Sequence, residues 1–243
     1  LLRLDAGIFI LHFALMCVFL VIPLELRDTA GLVAADHAKL YLPVFALSLV
    51  IMLPFVIIAE RNRRMKQVFL GAIAAVSISV IGFLNSYDLT TLALSLVVFF
   101  AGFNLLEASL PSLVSKTSKA TLKGTAMGVY SSSQFMGTFA GGLVGGAAHG
   151  FWGVDGVYTT VLAVLLLWLL LAASMRQPRY LSTYLLNVGI QNESEVSALT
   201  GKLAAVAGVA EVAVIAHEGV AYLKVEKHVL DDEKLLSFMA NKN

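Results

Sequence analysis

The sequence predicts an all-α membrane bundle of six transmembrane helices followed by a small α+β domain. Three observations carry that expectation. Hydrophobic residues make up 58% of the chain and charged residues 14%, whereas a soluble domain carries about 25% charged residues; mean hydropathy is +0.84. Apolar runs recur at lengths that suit a bilayer core of roughly 30 Å, which takes about 20 helical residues to cross. A soluble helical bundle needs no such series of runs. Beyond residue 180 the pattern changes to shorter periods, and acidic side chains outnumber basic ones. The single cysteine, Cys17, lies inside an apolar run and reads as packing. The chain opens at Leu1 without Met and without a signal-peptide pattern, which suggests the second part of something longer.

The six expected spans are Gly7–Leu26, His37–Ala59, Gln67–Leu84, Thr90–Pro111, Thr125–Ala148 and Gly156–Ser174. Their connections alternate in charge. Arg3, the turn Glu60-Arg61-Asn62-Arg63-Arg64-Met65-Lys66, the loop with Lys116, Lys119 and Lys123, and the exit with Arg176 and Arg179 are basic. The opposite connections carry Arg27 and Lys39, offset by Asp28, Asp36, Asp88 and Asp155. Cationic connections stay on the cytoplasmic side, so both ends of this chain are expected there. Phe151, Trp152 and Tyr158 bracket the last outer loop and suit an interfacial aromatic belt. Pro23, Pro43 and Pro54 fit membrane helices, which tolerate kinks when neighbours satisfy the freed carbonyls.

Polar residues inside the spans are the candidate pathway. In the fourth span Phe100, Phe103, Asn104, Glu107 and Pro111 recur at helical spacing and share a face. A carboxylate at a helix centre costs about 2.5–3.5 kcal/mol on insertion scales, so it faces a cavity or a partner, or is protonated. Glu107 is read as part of a solvated pathway or gate; the alternatives are a structural hydrogen bond to a neighbouring helix and snorkelling to headgroups. Gln134, mid-span in the fifth helix, is a bundle hydrogen bond or a cavity contact. His12 in the first span is a packed, hydrogen-bonded histidine or a proton carrier. The fifth span holds Gly128 and two G-x-x-x-G pairs, Gly137 with Gly141 and Gly142 with Gly146. Small residues let helices approach closely in lipid, and the same glycines could let the helix bend or slide.

The tail begins with a strand over Tyr180–Val188. Asn192 and Glu195 form a capping box ahead of a helical stripe of Val196, Leu199, Leu203 and Val206. Val209–His217 and Val220–Glu226 alternate around Glu218-Gly219, a hairpin signal. Asp231 caps a last helix using Leu235, Leu236 and Met239. The order β-α-β-β-α over 181–243 resembles a ferredoxin-like fold without its final strand, which leaves a sheet edge open for self-association. It also resembles the layout of heavy-metal-associated domains. The corresponding loop, Gly189-Ile190-Gln191-Asn192, has no thiolates, so no metal is expected. His217 and His228 have no partners at catalytic spacing. With no H-E-x-x-H, G-x-S-x-G or P-loop, no catalytic residue and no enzyme activity are expected. The tail's acidity argues against nucleic acid as a partner.

The apolar body resembles the C-terminal half of a major facilitator superfamily transporter, helices seven to twelve of two six-helix halves. Ala59-Glu60-Arg61-Asn62-Arg63-Arg64 is similar to that family's loop signature G-x-L-A-D-R-x-G-R-R, with Val56 and Arg63 where the signature has glycine and Glu60 for Asp. Gly102-Phe103-Asn104-Leu105-Leu106-Glu107-Ala108, Pro111-Ser112-Leu113 and Lys123-Gly124-Thr125-Ala126-Met127-Gly128-Val129-Tyr130-Ser131 extend the likeness. With the added tail domain, residues 1–175, a linker 176–180 and residues 181–243 resemble the drug/proton antiporter branch of the family.

The resemblance implies a secondary transporter of the bacterial inner membrane that exports small drug-like or amphipathic molecules by alternating access. It implies a proton gradient and no cofactor. Its partners would be the bilayer, the substrate and a six-helix half that precedes this chain. It also implies a latch. In the family the acidic residue of the first-half loop docks at the start of helix eleven, here Gly124 and Thr125 with Lys123 nearby, where the helix dipole favours a carboxylate. By the internal repeat Glu60, in the loop with Arg61 and Arg64, would dock on helix five of the other half. A membrane sensor with the tail as output, and a nutrient symporter, are the alternative functions.

Overall fold

The computed structural model describes residues 1–62, 64–175, 182–189, 192–226 and 229–239. Arg63, Arg176, Arg179, the expected linker 176–180, Leu181, Ile190, Gln191 and His228 lie outside the described residues. The chain forms two compact units, Leu1–Thr117 with Gly124–Pro178, and Ser118–Lys123 with Arg179–Asn243.

Among the described residues, the first unit contains five helices long and apolar enough to cross a membrane. They are α1 (Leu2–Asp28), α2 (His37–Arg61), α3 (Met65–Leu84), α4 (Leu89–Thr117) and α5 (Lys123–Ala173). Four match expected spans to within a turn or two. The fifth covers two of them. It runs 51 residues, about 76 Å at 1.5 Å per residue and far beyond one bilayer core. The expected outer loop is replaced by one non-helical residue, Gly153, at φ 68° and ψ −159°, in the φ range that favours glycine.

The neighbours of α1 show that the chain reverses there. Before Gly153, Gly137 lies against Phe9, Gly141 against Phe13 and Gly145 against Cys17, so this arm runs parallel to α1. After it, Tyr158 meets Glu25, Trp168 meets Gly7, and Ser174 meets Arg3, so the second arm runs antiparallel. The two arms are therefore the expected fifth and sixth spans.

The same bonds sort the connections by end. Arg3 donates to the Ser174 carbonyl at 3.3 Å and Lys66 to the Ala173 carbonyl at 2.8 Å, cations on the last carbonyls of a helix. Lys116 pairs with Glu60 at 2.6 Å. The basic starts of α1 and α3 and the ends of α2, α4 and α5 thus gather at one end of the bundle. Asp88 stands at the start of α4, where its carboxylate accepts the Thr91 N–H at 2.7 Å. That bond holds its carboxyl below the usual range.

Glycines set the helix spacing. A Cβ at Gly102 would meet Val76 at 2.8 Å and the Ala72 carbonyl at 2.9 Å, so α4 lies close against α3. The two expected pairs on α5 part company. Gly137 and Gly141 pack on α1 and Gly145 continues the row, whereas a Cβ at Gly128, Gly142 or Gly146 would meet nothing within 4 Å among the described residues. Positions five apart are about 140° around a helix from one another, so the two successive pairs cannot serve one neighbour.

The second unit carries β1 (Ser182–Asn187), α6 (Glu193–Ala204), β2 (Val209–Ile215), β3 (Val220–Val225) and α7 (Asp232–Leu236). The strand order is β1-β3-β2, with β3 antiparallel to both neighbours. Leu186, Leu203, Val206, Leu223, Val225 and Leu235 form the core. The Asn192 N–H donates to Glu195 at 3.4 Å, and Asp231 accepts the Lys234 N–H at 3.0 Å, as the capping signals predict. β2 stops at Ile215 rather than His217, because residues 216–218 tighten into a turn closed by Gly219 at φ 66°. In α7 only Leu235 is buried; Leu236 and Met239 stay exposed, since five residues make a single apolar row. Lys224 is buried beside Glu211 at 3.2 Å and donates to the Ser118 carbonyl.

Candidate functional site

Three helices bring polar side chains to one point inside the apolar bundle. α1 supplies His12, α4 supplies Glu107 and the first arm of α5 supplies Gln134. Gln134 Nε2 is 2.8 Å from His12 Nε2 and 3.4 Å from Glu107 Oε1. His12 Nδ1 is 3.3 Å from the Ile8 carbonyl, which only accepts, so Nδ1 carries a proton. His12 Nε2 faces the Gln134 amide, the one contact of the ring that can be made with either end of a side chain. Phe103 lies edge-on to the His12 ring at 5.6 Å.

Glu107 approaches without docking. Its Oε2 lies 3.8 Å from His12 Nε2 and has no hydrogen-bond partner among the described residues. The His12 side chain is 10% exposed and that of Glu107 36%. Tyr130, on the same arm as Gln134, is buried, and its hydroxyl likewise has no partner among the described residues. This is a chain of donors and acceptors with spare capacity, inside walls that strengthen any charge change.

Sequence spacing puts Glu107, Phe103, Gln134 and His12 among the pathway residues, and the fold brings those four together. Asn104 goes elsewhere. Its amide donates to Ser48 of α2 at 3.1 Å, and Ser48 donates to the Phe45 carbonyl at 2.7 Å. Phe100 stacks edge-on against Phe19 and Phe45. The expected single face of α4 therefore serves three neighbours, with Phe103 and Glu107 toward α1 and α5, Asn104 toward α2, and Phe100 between α1 and α2.

At the basic end, both Glu60 oxygens accept from Lys116 at 2.6 and 2.7 Å, with the Ser112 hydroxyl at 3.4 Å. Within this chain the carboxylate of the loop is thus shared with the end of α4. Lys123, Gly124 and Thr125 start α5 exposed, and Arg61 and Arg64 are exposed beside the loop.

Two features escape sequence reasoning. Ser48 has no distinguishing spacing in an apolar helix. Glu25 accepts from the Tyr158 hydroxyl at the end opposite the basic connections, and Tyr158 stacks on Phe83 of α3 at 5.4 Å. Glu25 stands at the end of a span beside Arg27 and Asp28, where it reads as solvated. Only the burial of Tyr158 marks it.

The profile of the family described as Major Facilitator Superfamily matches residues 4–208. The chain is 39% identical over 230 residues to the Inner membrane transport protein YajR of Escherichia coli strain K12, covering 94% of this chain and 50% of that protein. It is 29% identical over 168 residues to an uncharacterized transporter of Buchnera aphidicola subsp. Baizongia pistaciae, covering 68% of this chain and 43% of the other. Against an uncharacterized transporter of Buchnera aphidicola subsp. Acyrthosiphon pisum it is 33% identical over 140 residues, covering 57% and 36%. The chain thus spans about half the length of these relatives or less.

Proposed function

Because the chain belongs to the major facilitator superfamily, we propose that it is the second six-helix half of a secondary active transporter with a cytoplasmic ferredoxin-like tail. The cargo is a small amphipathic or drug-like molecule, exported by alternating access at the expense of a proton gradient. The membrane is a bacterial inner membrane, and the basic end of the bundle, with both ends of this chain, faces the cytoplasm. The order β1-β3-β2 supports the tail assignment, since it is the ferredoxin-like sheet without its last strand.

The observation that carries this reading is the His12–Gln134–Glu107 cluster on three helices of an apolar bundle. A buried ionisable group in a membrane helix marks an ion or proton path. The geometry has two states. With His12 neutral, Gln134 donates to both neighbours. A proton added at His12 Nε2 removes that acceptor. Gln134 then has to turn its amide, and the imidazolium can close on Glu107. A proton added at Glu107 instead makes the carboxyl a donor toward the same imidazole nitrogen. Either event exchanges the bonds that tie α1, α4 and α5, the coupling alternating access needs.

Proton-driven transport by the full-length protein in sealed vesicles tests this, comparing wild type with Glu107→Gln. The expected result is that the variant folds, binds cargo and loses dependence on the imposed pH gradient. Unchanged gradient dependence would remove Glu107 from the coupling.

A further inference from the structure

A groove of about 480 Å³ opens between α2, α3 and α4, apart from the polar cluster. Ile51, Phe55 and Ile58 of α2, Gly71 of α3, and Val98 and Leu105 of α4 form its apolar walls. Leu105 lies two positions from both Phe103 and Glu107, about 200° around the helix, so the groove uses the opposite face of α4. Its lining has polar heads only at the end where α2 turns into α3, from Arg64 and Gln67.

Those heads are exposed. Of the neighbouring cations, Lys66 is held by the Ala173 carbonyl and Lys116 by Glu60. Among the described residues no acidic side chain pairs with Arg64. A long apolar trough that ends in a free guanidinium and an amide is complementary to an amphiphile with an acyl chain and an anionic head. Guanidinium binds phosphate in a forked, two-bond geometry that lysine cannot match.

We propose that this groove holds an acyl chain of an anionic phospholipid, whose headgroup phosphate is bound by Arg64 and Gln67. The site requires membrane insertion and does not depend on what the protein transports. In the cytoplasmic orientation proposed above it opens to the leaflet where juxtamembrane basic residues meet anionic lipid. Occupied, it would wedge between α2 and α3 beside the Glu60 loop and so bear on the same connector.

Native mass spectrometry of the full-length protein, titrated separately with phosphatidylglycerol and phosphatidylethanolamine, tests it. Wild type should bind phosphatidylglycerol more tightly. Arg64→Ala should weaken that binding about fivefold, the factor for one basic side chain at an anionic surface, and weaken phosphatidylethanolamine less, because the ammonium of that headgroup already offsets its phosphate. Gly71→Leu should weaken both, since a side chain at Gly71 starts in open space within the groove and fills it. The proposal is overturned if Arg64→Ala leaves phosphatidylglycerol binding intact, or if inorganic phosphate alone binds as tightly. It is also overturned if the folded Gly71→Leu protein binds phosphatidylglycerol as wild type does.

Discussion

The first arm of α5 carries two rows of glycine that look alike in sequence and differ in the fold. Gly137, Gly141 and Gly145 press on the backbone of α1 at Phe9, Phe13 and Cys17. Gly128, Gly142 and Gly146 meet nothing within 4 Å among the described residues and are flanked by exposed Phe135, Phe139 and Leu143. Gln134 lies one turn before Gly137, so the packed row is also the one that presents the polar cluster to His12. Close approach of α1 and α5 is what lets a glutamine amide and an imidazole meet at 2.8 Å. The packed row is therefore the frame of the site. The open row is free to meet lipid or another helix.

The sharpest way to break this comparison is to add one methyl to each row. At Gly137 a Cβ would fall inside contact distance of the Phe9 carbonyl, and at Gly141 it would lie 2.5 Å from the Phe13 carbonyl. Backbone cannot step aside as a side chain can, so Gly137→Ala and Gly141→Ala should each cost about 3 kcal/mol or more. Gly142→Ala should be neutral or gain up to about 1 kcal/mol from helix propensity. Thermal unfolding of the full-length protein in detergent reads the difference. Equal melting temperatures for Gly137→Ala and Gly142→Ala would mean that the rows are equivalent.

A smaller effect is expected where the second arm meets α1. There the contact is polar, with the buried Tyr158 hydroxyl donating to Glu25. Tyr158→Phe leaves the carboxylate without its donor in a half-buried site and should cost about 1–3 kcal/mol. Glu25→Gln in the same background should recover part of that loss, because the neutral amide tolerates the vacancy better. If Tyr158→Phe melts like wild type, the clasp does not hold the arms.

Much of this architecture is legible in the residues. Span length and loop charge give six crossings, and the short α2–α3 connection follows from its basic turn. Capping by Asn192 and Asp231 is local chemistry that sequence states directly. Glu107, Gln134 and His12 stand out because polar atoms in apolar helices need partners. Their meeting does not follow from spacing, since it depends on which face of α5 turns to α1. Two G-x-x-x-G pairs offset by five residues leave that rotation open, and only the packing against Phe9 and Phe13 decides it. Asn104 departs from its expected place for the same reason. It lies three positions before Glu107, near enough in angle to share its face and far enough to reach Ser48 on α2. Glu25 escapes notice because its partner is 133 residues away.

The mildest test concerns the last glycine of the packed row. A Cβ at Gly145 would lie 3.1 Å from Cys17 Sγ and 3.3 Å from the Cys17 backbone. The obstacle is partly a side chain, so Gly145→Ala should cost less than Gly141→Ala. The Cys17 thiol also donates to the Gly141 carbonyl at 3.2 Å, a weak bond whose loss in Cys17→Ala is worth at most ~1 kcal/mol. Removing the sulfur makes room for the new methyl, while the crowding against the α1 backbone persists. The double variant should therefore be more stable than the sum of the two single losses, with a coupling of about 0.5–1 kcal/mol. Strict additivity would mean that the backbone of α1, not the cysteine side chain, limits how closely α5 can approach at this level.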